Sequence, residues 1–207
     1  MRPERAGNIK PPCCGQAKGR PLILASASPR RRALLRRLGV RFRVVPSLVG
    51  ERSRQKDPRR LVVELALRKA RYVARRNPEA AVLGADTVVV CRGRILGKPQ
   101  SRADSRRILE FLNGRGQEVY TGIAVVLDGG RRFFARCVKS RVMARRLKPA
   151  ELRRLAGKHL DKAGAYAVQD RDDPFIARIA GDYGNVVGLP LESTRRLLRK
   201  AGVMTQP

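Results

Sequence analysis

The sequence predicts an α/β domain in which helices flank a mixed, twisted β-sheet. Strand and helix patterns alternate along the chain, which is typical of α/β proteins. Two pairs of neighbouring strands are joined by short turns, and such hairpins require antiparallel pairing. With 207 residues, 43% of them hydrophobic, the chain is long enough to bury a core of this kind. We therefore expect parallel and antiparallel strands in the same sheet.

The first predicted elements are a strand, a helix and a second strand. An apolar run from Leu22 to Ser26 indicates the first strand. Ser28 is placed to cap the following helix, Pro29 suits its first turn, and Gly39 marks its end. We expect the second strand from Phe42 to Val45.

The next part of the chain predicts a long helix and a buried strand. Asp57 and Pro58 repeat the capping signal, and this helix ends at Asn77. Residues Ala81 to Cys91 form a near-continuous apolar run, which is typical of a central strand. Asp86 is the one charged residue in this run. Because Asp is almost never fully buried without a partner, Asp86 is a candidate functional residue.

A hairpin turn at residues 92–93 returns the chain through Ile95. Extending this pairing places Thr87 opposite Lys98, whose ammonium group would then lie beside Asp86. Such a carboxylate can act as a general base or a metal ligand while the cation binds phosphate. The alternative is a structural ion pair that closes the hairpin.

The second half of the chain predicts three more helices and three more strands. Ser101 is placed to cap the first of these helices, and Asp104 is spaced to complete a capping box. The predicted helices span 101–112, 149–156 and 190–201. The predicted strands span 119–127, 133–143 and 175–179, and the first two form a hairpin around residues 128–130.

The charge of the chain is strongly positive, since 47 lysine and arginine residues face 17 aspartate and glutamate residues, a net charge of +30. Such a charge attracts polyanions, including nucleic acid. The basic residues are spread from Arg2 to Lys200, which favours solvated helix faces over one nucleic-acid patch. Aromatic residues make up only 4%, which leaves little surface for stacking on single strands.

Cysteine spacing and hydropathy indicate the compartment. Cys13, Cys14, Cys91 and Cys137 have no metal-binding spacing, and we expect reduced thiols in a cytoplasmic protein. No apolar run approaches the roughly 20 residues of a membrane span, so no membrane association is expected. We interpret residues 1–20 as a flexible basic extension and residues 21–207 as the folded domain.

A second candidate site lies where the first strand turns into its helix. Backbone N–H groups and the positive end of a helix dipole meet there, which favours an anion. Arg30 and Arg31 have the wrong sign for that dipole unless an anion is bound, so the segment from Ser26 predicts a phosphate site. The alternative is an ordinary helix, capped by Ser28, with solvent-facing arginines. Gln169 can present its amide to a base edge, or it is a surface strand residue.

Six short segments combine small residues with polar ones: residues 24–31, 84–89, 97–99, 120–122, 161–166 with Gln169, and 187–191. In this order and spacing they resemble the Maf family of nucleoside triphosphate pyrophosphatases, over about residues 22–202. Each segment alone is weak evidence, but the set is specific. The resemblance implies a Maf/ITPase-like architecture with two lobes around a central cleft.

The resemblance also implies an activity and a set of site residues. Members of this family hydrolyse nucleoside triphosphates between the α and β phosphates, releasing a monophosphate and pyrophosphate. Asp86 matches the proposed proton acceptor, which activates water. Positions that match substrate-binding residues are Ser28, Arg30, Arg31, Glu51, Lys69, Thr87, Lys98 and Gln169. The residues that match the dTTP/UTP branch, rather than the 7-methyl-GTP branch, are Arg30, Thr87 and Gln169.

Family members use a divalent cation, so the resemblance implies Mg²⁺ or Mn²⁺, with Asp86 and Glu51 as its candidate ligands. Members commonly form homodimers, so the resemblance implies this assembly, although no part of the sequence identifies the interface. The chain departs from the family pattern at Gln117, Lys158 and Asp170, where the family has histidine, glutamate and glycine.

A different interpretation keeps the fold without efficient catalysis. The chain would then be a basic nucleic-acid-binding or regulatory module, as its net charge of +30 suggests. The joint presence of Asp86, Lys69, Lys98 and Gln169 favours the pyrophosphatase. Binding through phosphates alone would weaken steeply with salt and would need neither Asp86 nor a metal ion.

Overall fold

The computed structural model describes residues 20–170 and 173–204. Apart from Arg20, the extension expected at residues 1–20 lies outside the described residues, as do Cys13 and Cys14. None of the helices in the described ranges is long and apolar enough to cross a membrane.

Seven strands form one mixed sheet in the described part of the chain. They are β1 (Leu22–Leu24), β2 (Phe42–Val44), β3 (Ala81–Cys91), β4 (Arg94–Leu96), β5 (Gly116–Leu127), β6 (Arg132–Ala144) and β7 (Ile176–Ala180). Their order is β2-β1-β3-β5-β6-β7, with β4 beside β3. β1 pairs in parallel with β2 and β3, whereas the other pairs are antiparallel. The predicted mixed sheet is confirmed.

Helices cover both faces of this sheet. They are α1 (Pro29–Arg36), α2 (Pro58–Ala74), α3 (Arg102–Leu112), α4 (Pro149–Leu155), α5 (Tyr183–Val187) and α6 (Leu191–Lys200). All except α5 were expected from the sequence. A five-residue helix is too short to show a helical period, which explains why α5 escapes a pattern-based prediction.

Side-chain caps begin the helices at the predicted positions. The Asp57 carboxylate accepts the N–H of Arg59 at 2.7 Å, and Ser101 Oγ accepts the N–H of Asp104 at 3.1 Å. The predicted capping box is wrong, because the Asp104 carboxylate accepts the N–H of Gln100 at 3.0 Å rather than that of Ser101.

Successive residues of β3 pack into hydrophobic cores on opposite faces of the sheet. Val82 packs against α2, and the next residue, Leu83, packs against α1 and α6 on the opposite face. At the far end of β3, Val89 packs with Leu109 of α3 and Leu152 of α4. The cores at the two ends of β3 form the two lobes that the resemblance implied.

One edge of β3 has a gap between these lobes. This edge pairs with β1 up to Leu83 and with β4 from Val89 onwards. Within the described residues, the stretch 84–88 pairs only on the other side, with β5. Asp86 and Thr87 lie in the gap. Ligands of α/β sheets bind beside the carboxyl ends of parallel strands, which is where this gap opens.

Two glycines allow α2 to lie close to the sheet. A Cβ atom on Gly84 would be 2.3 Å from the carbonyl oxygen of Ala66, and one on Gly122 would be 2.2 Å from that of Val62. Such contacts are far too short, so the backbones approach only because both positions lack a side chain. Gly122 lies directly opposite Asp86 in the ladder. The close contact of the two backbones therefore places α2 directly beside the part of β3 that carries Asp86.

Candidate active site

A cleft of about 840 Å³ opens at the gap in β3. This volume is within the range of small-molecule sites. The cleft is lined by all nine residues selected from the sequence: Ser28, Arg30, Arg31, Glu51, Lys69, Asp86, Thr87, Lys98 and Gln169. Asp161 and Lys162 lie in the same lining.

The floor of the cleft holds a cluster of carboxylates and ammonium groups. Lys69 Nζ lies 2.6 Å from Asp86 Oδ1 and 2.7 Å from Glu51 Oε1. The side chains of Lys69 and Asp86 are each only 9% exposed. Lys98 Nζ lies 3.2 Å from Glu51 Oε1.

The structure therefore corrects the expected partner of Asp86. The hairpin register is right where β4 exists, since Val89 lies opposite Leu96. The ladder ends at that pair, however, and Lys98 leaves the strand to reach Glu51 instead of Asp86. Lys69 of α2 takes the expected place because the helix lies so close to the sheet.

The charge of Glu51 is stabilised by its neighbours. Burial by itself would raise the pKa of Glu51, but the hydrogen bond and charge of Lys69, together with Lys98, outweigh burial and lower this pKa to about 2. Glu51 is thus fully ionised at neutral pH. Lys69 also forms an ion pair with Asp86 at 2.6 Å.

Arg31 is held in place from three sides. Its Nε donates to the carbonyl oxygen of Gly188 at 2.9 Å, Nη1 to Ser26 Oγ at 3.3 Å, and Nη2 to Thr87 Oγ1 at 3.1 Å. Burial lowers the pKa of Arg31 from its usual value, and the charge of Asp86 acts in the opposite direction. A guanidinium group has five N–H donors, so two remain for a ligand in the cleft.

The Nε of Arg30 is a buried hydrogen-bond donor. It is shielded from solvent and makes no hydrogen bond within residues 20–170 and 173–204. Burial lowers the pKa of Arg30, and the charge of Asp161 opposes this effect. A buried donor without a partner destabilises the protein, and an anionic ligand in the cleft would relieve that cost.

The remaining predicted residues differ in how strongly they are held. Ser28 is the N-cap of α1, as predicted, and its Oγ accepts the N–H of Arg31 at 3.5 Å. Thr87 is half-buried, whereas Gln169 is exposed on the cleft wall. The wall therefore combines a polar side chain that is half-buried with one that is exposed.

Two polar residues behind the cleft were not selected from the sequence. The hydroxyl group of Thr121 lies 2.9 Å from that of Thr87 and donates to the carbonyl oxygen of Asn185 at 2.9 Å. Both residues are fully buried. Asn185 is 64 residues from Thr121 along the chain, so no local spacing indicates this contact.

The departures from the family pattern lie away from the cleft lining. Gln117 is buried, and neither polar atom of its amide has a hydrogen-bond partner within the described residues. Lys158 is exposed. Oδ2 of Asp170 lies 3.6 Å from Nε2 of His159. Lys158 therefore adds no charge to the wall of the cleft.

The donor set fits a divalent cation that is bound together with a phosphate ligand. Among the described residues, no three or more His, Cys, Asp or Glu side chains form a metal cage. Mg²⁺ is usually held by one or two carboxylates plus water and substrate phosphates. Lys69 contacts Oδ1 of Asp86 and Oε1 of Glu51, so its hydrogen bonds do not use Oδ2 of Asp86. The second oxygen of Glu51, Oε2, lies 3.4 Å from Lys98 Nζ, so a cation held there would compete with this ammonium group.

Several proteins named dTTP/UTP pyrophosphatase resemble the chain over most of its length. It is 49% identical over 185 residues to the dTTP/UTP pyrophosphatase of Moorella thermoacetica, covering 88% of this chain and 95% of that protein. The chain is 45% identical over 181 residues to the dTTP/UTP pyrophosphatase of Elusimicrobium minutum, and the match covers 87% of this chain and 98% of that protein. It is 46% identical over 184 residues to the protein of the same name from Deinococcus radiodurans, and this match covers 88% of this chain and 93% of that protein.

The family comparison agrees with these relatives. A sequence model of the family described as Maf-like protein matches residues 21–201, which contain every strand and helix of the described residues, from β1 to α6. The chain belongs to the Maf family.

Proposed function

We propose that this chain hydrolyses dTTP and UTP to the nucleoside monophosphate and pyrophosphate. The observation that carries the proposal is the buried Asp86–Lys69 pair, which faces two arginines across one cleft. Relatives at 45% to 49% identity are named dTTP/UTP pyrophosphatases, which supports the same substrates for this chain.

In this proposal, Asp86 accepts a proton from the water that attacks the α-phosphorus. The bond between the α-phosphorus and the bridging oxygen then breaks, and pyrophosphate leaves. Lys69 stabilises the Asp86 carboxylate before the proton arrives, since the two groups are 2.6 Å apart.

The arginines and Lys98 bind the phosphates. Arg30 offers Nε, which has no hydrogen-bond partner among the described residues, and Arg31 offers the two N–H groups that its bonds to Ser26, Thr87 and Gly188 do not use. These donors neutralise charge on the triphosphate and on the leaving pyrophosphate. A divalent cation held by Asp86 and Glu51 with the substrate would supply further charge neutralisation on the phosphate oxygens.

The decisive experiment is product analysis with Asp86→Asn. Purified protein is incubated with dTTP, UTP, CTP, GTP or 7-methyl-GTP, with Mg²⁺ or Mn²⁺. We expect monophosphate and pyrophosphate from dTTP and UTP, and a loss of at least about 100-fold in kcat for Asp86→Asn, since general-base catalysis is worth 10²–10⁴. Asp128→Asn is the matched control, because Asp128 pairs with Arg132 on a surface turn.

Other results would contradict the proposal. Turnover of 7-methyl-GTP alone would overturn the specificity assigned to Arg30, Thr87 and Gln169. Binding of nucleic acid that weakens steeply with salt, with no turnover and no effect of Asp86→Asn, would support the nucleic-acid-binding interpretation instead. The homodimer, the cytoplasmic location and the cation requirement stay predictions.

A further inference from the structure

The loop that carries Glu51 has little support from its own backbone. Residues 45–57 connect β2 to α2 and contain neither helix nor strand. Within the described part of the chain, no hydrogen bond joins a main-chain group of residues 46–56 to another main-chain group. Leu48 is 84% exposed, so this side chain does not anchor the loop in a core. Contacts made by polar side chains must therefore hold Glu51 in place.

Arg68 of α2 binds the main chain on both sides of Glu51. Its Nη1 donates to the carbonyl oxygen of Gly50 at 3.1 Å and to that of Arg52 at 2.7 Å. These two residues directly precede and follow Glu51. One guanidinium nitrogen therefore fixes the backbone from which the Glu51 side chain extends into the cleft.

Glu64 connects the same guanidinium group to the next part of the loop. Nη2 of Arg68 forms an ion pair with Oε1 of Glu64, which lies one helical turn earlier on α2. Ser53 Oγ donates to Oε2 of Glu64 at 3.0 Å and accepts the N–H of Gln55 at 3.0 Å. We call the contacts of Arg68, Glu64 and Ser53 the loop clamp.

The loop clamp lies near the surface, so its effect is local. The side chains of Arg68 and Glu64 are 36% and 42% exposed, and exposed ion pairs contribute little to global stability. Glu51, by contrast, reaches from the clamped loop to Lys69 at 2.7 Å and to Lys98 at 3.2 Å. Both distances depend on where the backbone of the loop is held.

We propose that Arg68, through the loop clamp, positions the Glu51 carboxylate between Lys69 and Lys98. Arg68 binds the main chain and does not line the cleft in the described residues, so it is a positioning residue rather than a catalytic one. Its kinetic consequence rests on the proposed function, in which Glu51 is a candidate ligand of the divalent cation. The position of Glu51 itself can be tested without nucleotide or metal.

The ionisation of Glu51 reports where its carboxylate lies. Lys69 and Lys98 lower the pKa of Glu51 to about 2, through hydrogen bonds and charge. Such effects need the partner within about 6 Å. A loop released from Arg68 would let the carboxylate move away from both ammonium groups, and the pKa of Glu51 would then rise towards its ordinary value of 4.5.

The test follows the Glu51 carboxyl group by carbon-13 NMR between about pH 3 and about pH 6, where an ordinary glutamate titrates. The signal is assigned by its absence in Glu51→Gln. It should hardly move in the unmodified protein and should titrate within this range in Arg68→Met, which lacks the N–H donors. Arg52→Met is the matched control, because it removes an exposed arginine charge beside Glu51 but keeps the carbonyl that Arg68 binds. Its Glu51 signal should behave as in the unmodified protein.

Two results would overturn the loop clamp. One is a Glu51 signal in Arg68→Met that is as constant as in the unmodified protein. The other is an equal titration in Arg52→Met, which would assign the effect to lost charge. If Arg68→Met does not fold, Ser53→Ala tests the same clamp by removing its bond to Glu64. A titration shifted towards higher pH then supports the clamp, and an unchanged signal overturns it.

Turnover separates failure of this inference from failure of the proposed function. In Arg68→Met, the Mg²⁺ concentration for half-maximal hydrolysis of UTP should rise about tenfold, since losing a residue that orients a metal ligand typically costs 10–100-fold. The same change should add little in a Glu51→Gln background, because residues that act as a unit are not additive. Full additivity would overturn the clamp. The expected NMR change without hydrolysis of any nucleotide would support the clamp and refute the proposed function.

Discussion

At the scale of single residues, Lys69 connects the two carboxylates of the cleft. It lies 2.6 Å from Asp86 and 2.7 Å from Glu51, while Lys98 contacts Glu51 from the solvent side. A buried charge is tolerated only when it is paired and hydrogen-bonded. The cluster meets this requirement because its charges balance, two carboxylates against two ammonium groups. The balance also makes stability depend on pH.

Glu51 should contribute stability that disappears in acid. The pKa of Glu51 is lowered from 4.5 to about 2 in the folded protein, so its contribution is fully present above pH 4.5 and is lost as the pH falls towards 2. The side chain is 47% exposed, so solvent screening limits the contribution to about 1 kcal/mol. Urea unfolding should therefore show Glu51→Gln to be less stable than the unmodified protein at pH 6 and nearly equal to it at pH 2.5.

The control for this prediction is Glu110→Gln, because Glu110 forms an exposed pair with Arg106 outside the cleft. This variant should lose stability in acid in parallel with the unmodified protein. A stability difference for Glu51→Gln that stays constant from pH 6 to pH 2.5 would contradict the assigned coupling between Glu51 and Lys69.

At the scale of elements, the contact of α2 with β3 and β5 brings Lys69 and Asp86 together. The close approach depends on Gly84 and Gly122, where added Cβ atoms would lie 2.3 Å and 2.2 Å from carbonyl oxygens of α2. Lys69 extends from this helix and Asp86 from this strand. The distance between helix and sheet therefore determines the distance between the two charged groups.

Gly84→Ala should displace α2 and separate Lys69 from Asp86. Overpacking of this kind costs about 2–3 kcal/mol, and kcat should fall together with stability because the carboxylate loses its partner. Urea unfolding and turnover of UTP are the measurements. Gly50→Ala is the control, since a Cβ atom at Gly50 meets no atom within 4 Å. Equal stability of the two variants would refute the close-packing role of Gly84.

At the scale of the whole molecule, the net charge of +30 is spread over the surface. Exposed arginines lie on α1, α2, α3, α4 and α6, for example Arg36, Arg60, Arg106, Arg154 and Arg196. This distribution agrees with solvated helix faces rather than one patch for nucleic acid. Since like charges on a compact body repel, the excess of positive charge destabilises the folded state.

Salt should therefore stabilise this protein. Raising KCl from about 10 mM to about 500 mM shortens the screening length from about 30 Å to less than 8 Å, which weakens the repulsion. The midpoint of thermal unfolding should rise gradually with the square root of ionic strength. A midpoint that is constant or falls would contradict the prediction. A rise that is complete within a few millimolar salt would indicate anion binding in the cleft instead of screening.

Local signals predicted most of the fold correctly. The caps Ser28, Asp57 and Ser101 begin their helices where expected, because capping involves only neighbouring residues. The apolar run of β3 was predicted with its full length, since a strand covered by helices on both faces needs apolar residues on both faces. The partner of Asp86 was predicted wrongly because it depends on a residue of α2 that no local spacing identifies. The capping box at Ser101 failed locally, since the Asp104 carboxylate accepts the N–H of Gln100 instead. The helix α5 was missed because five residues are too few to show a helical period.

The sequence by itself determined which chemical groups are present and on which elements they lie. Asp86 in an apolar strand and Arg31 in the first turn of a helix could be selected because each breaks a local rule. Only the tertiary structure decided that Lys69, rather than Lys98, meets Asp86, and that Thr121 and Asn185 stand behind Thr87. The physical reason is that such contacts follow from how closely α2 and α5 pack on the sheet, which many distant residues set together and no single stretch of sequence encodes.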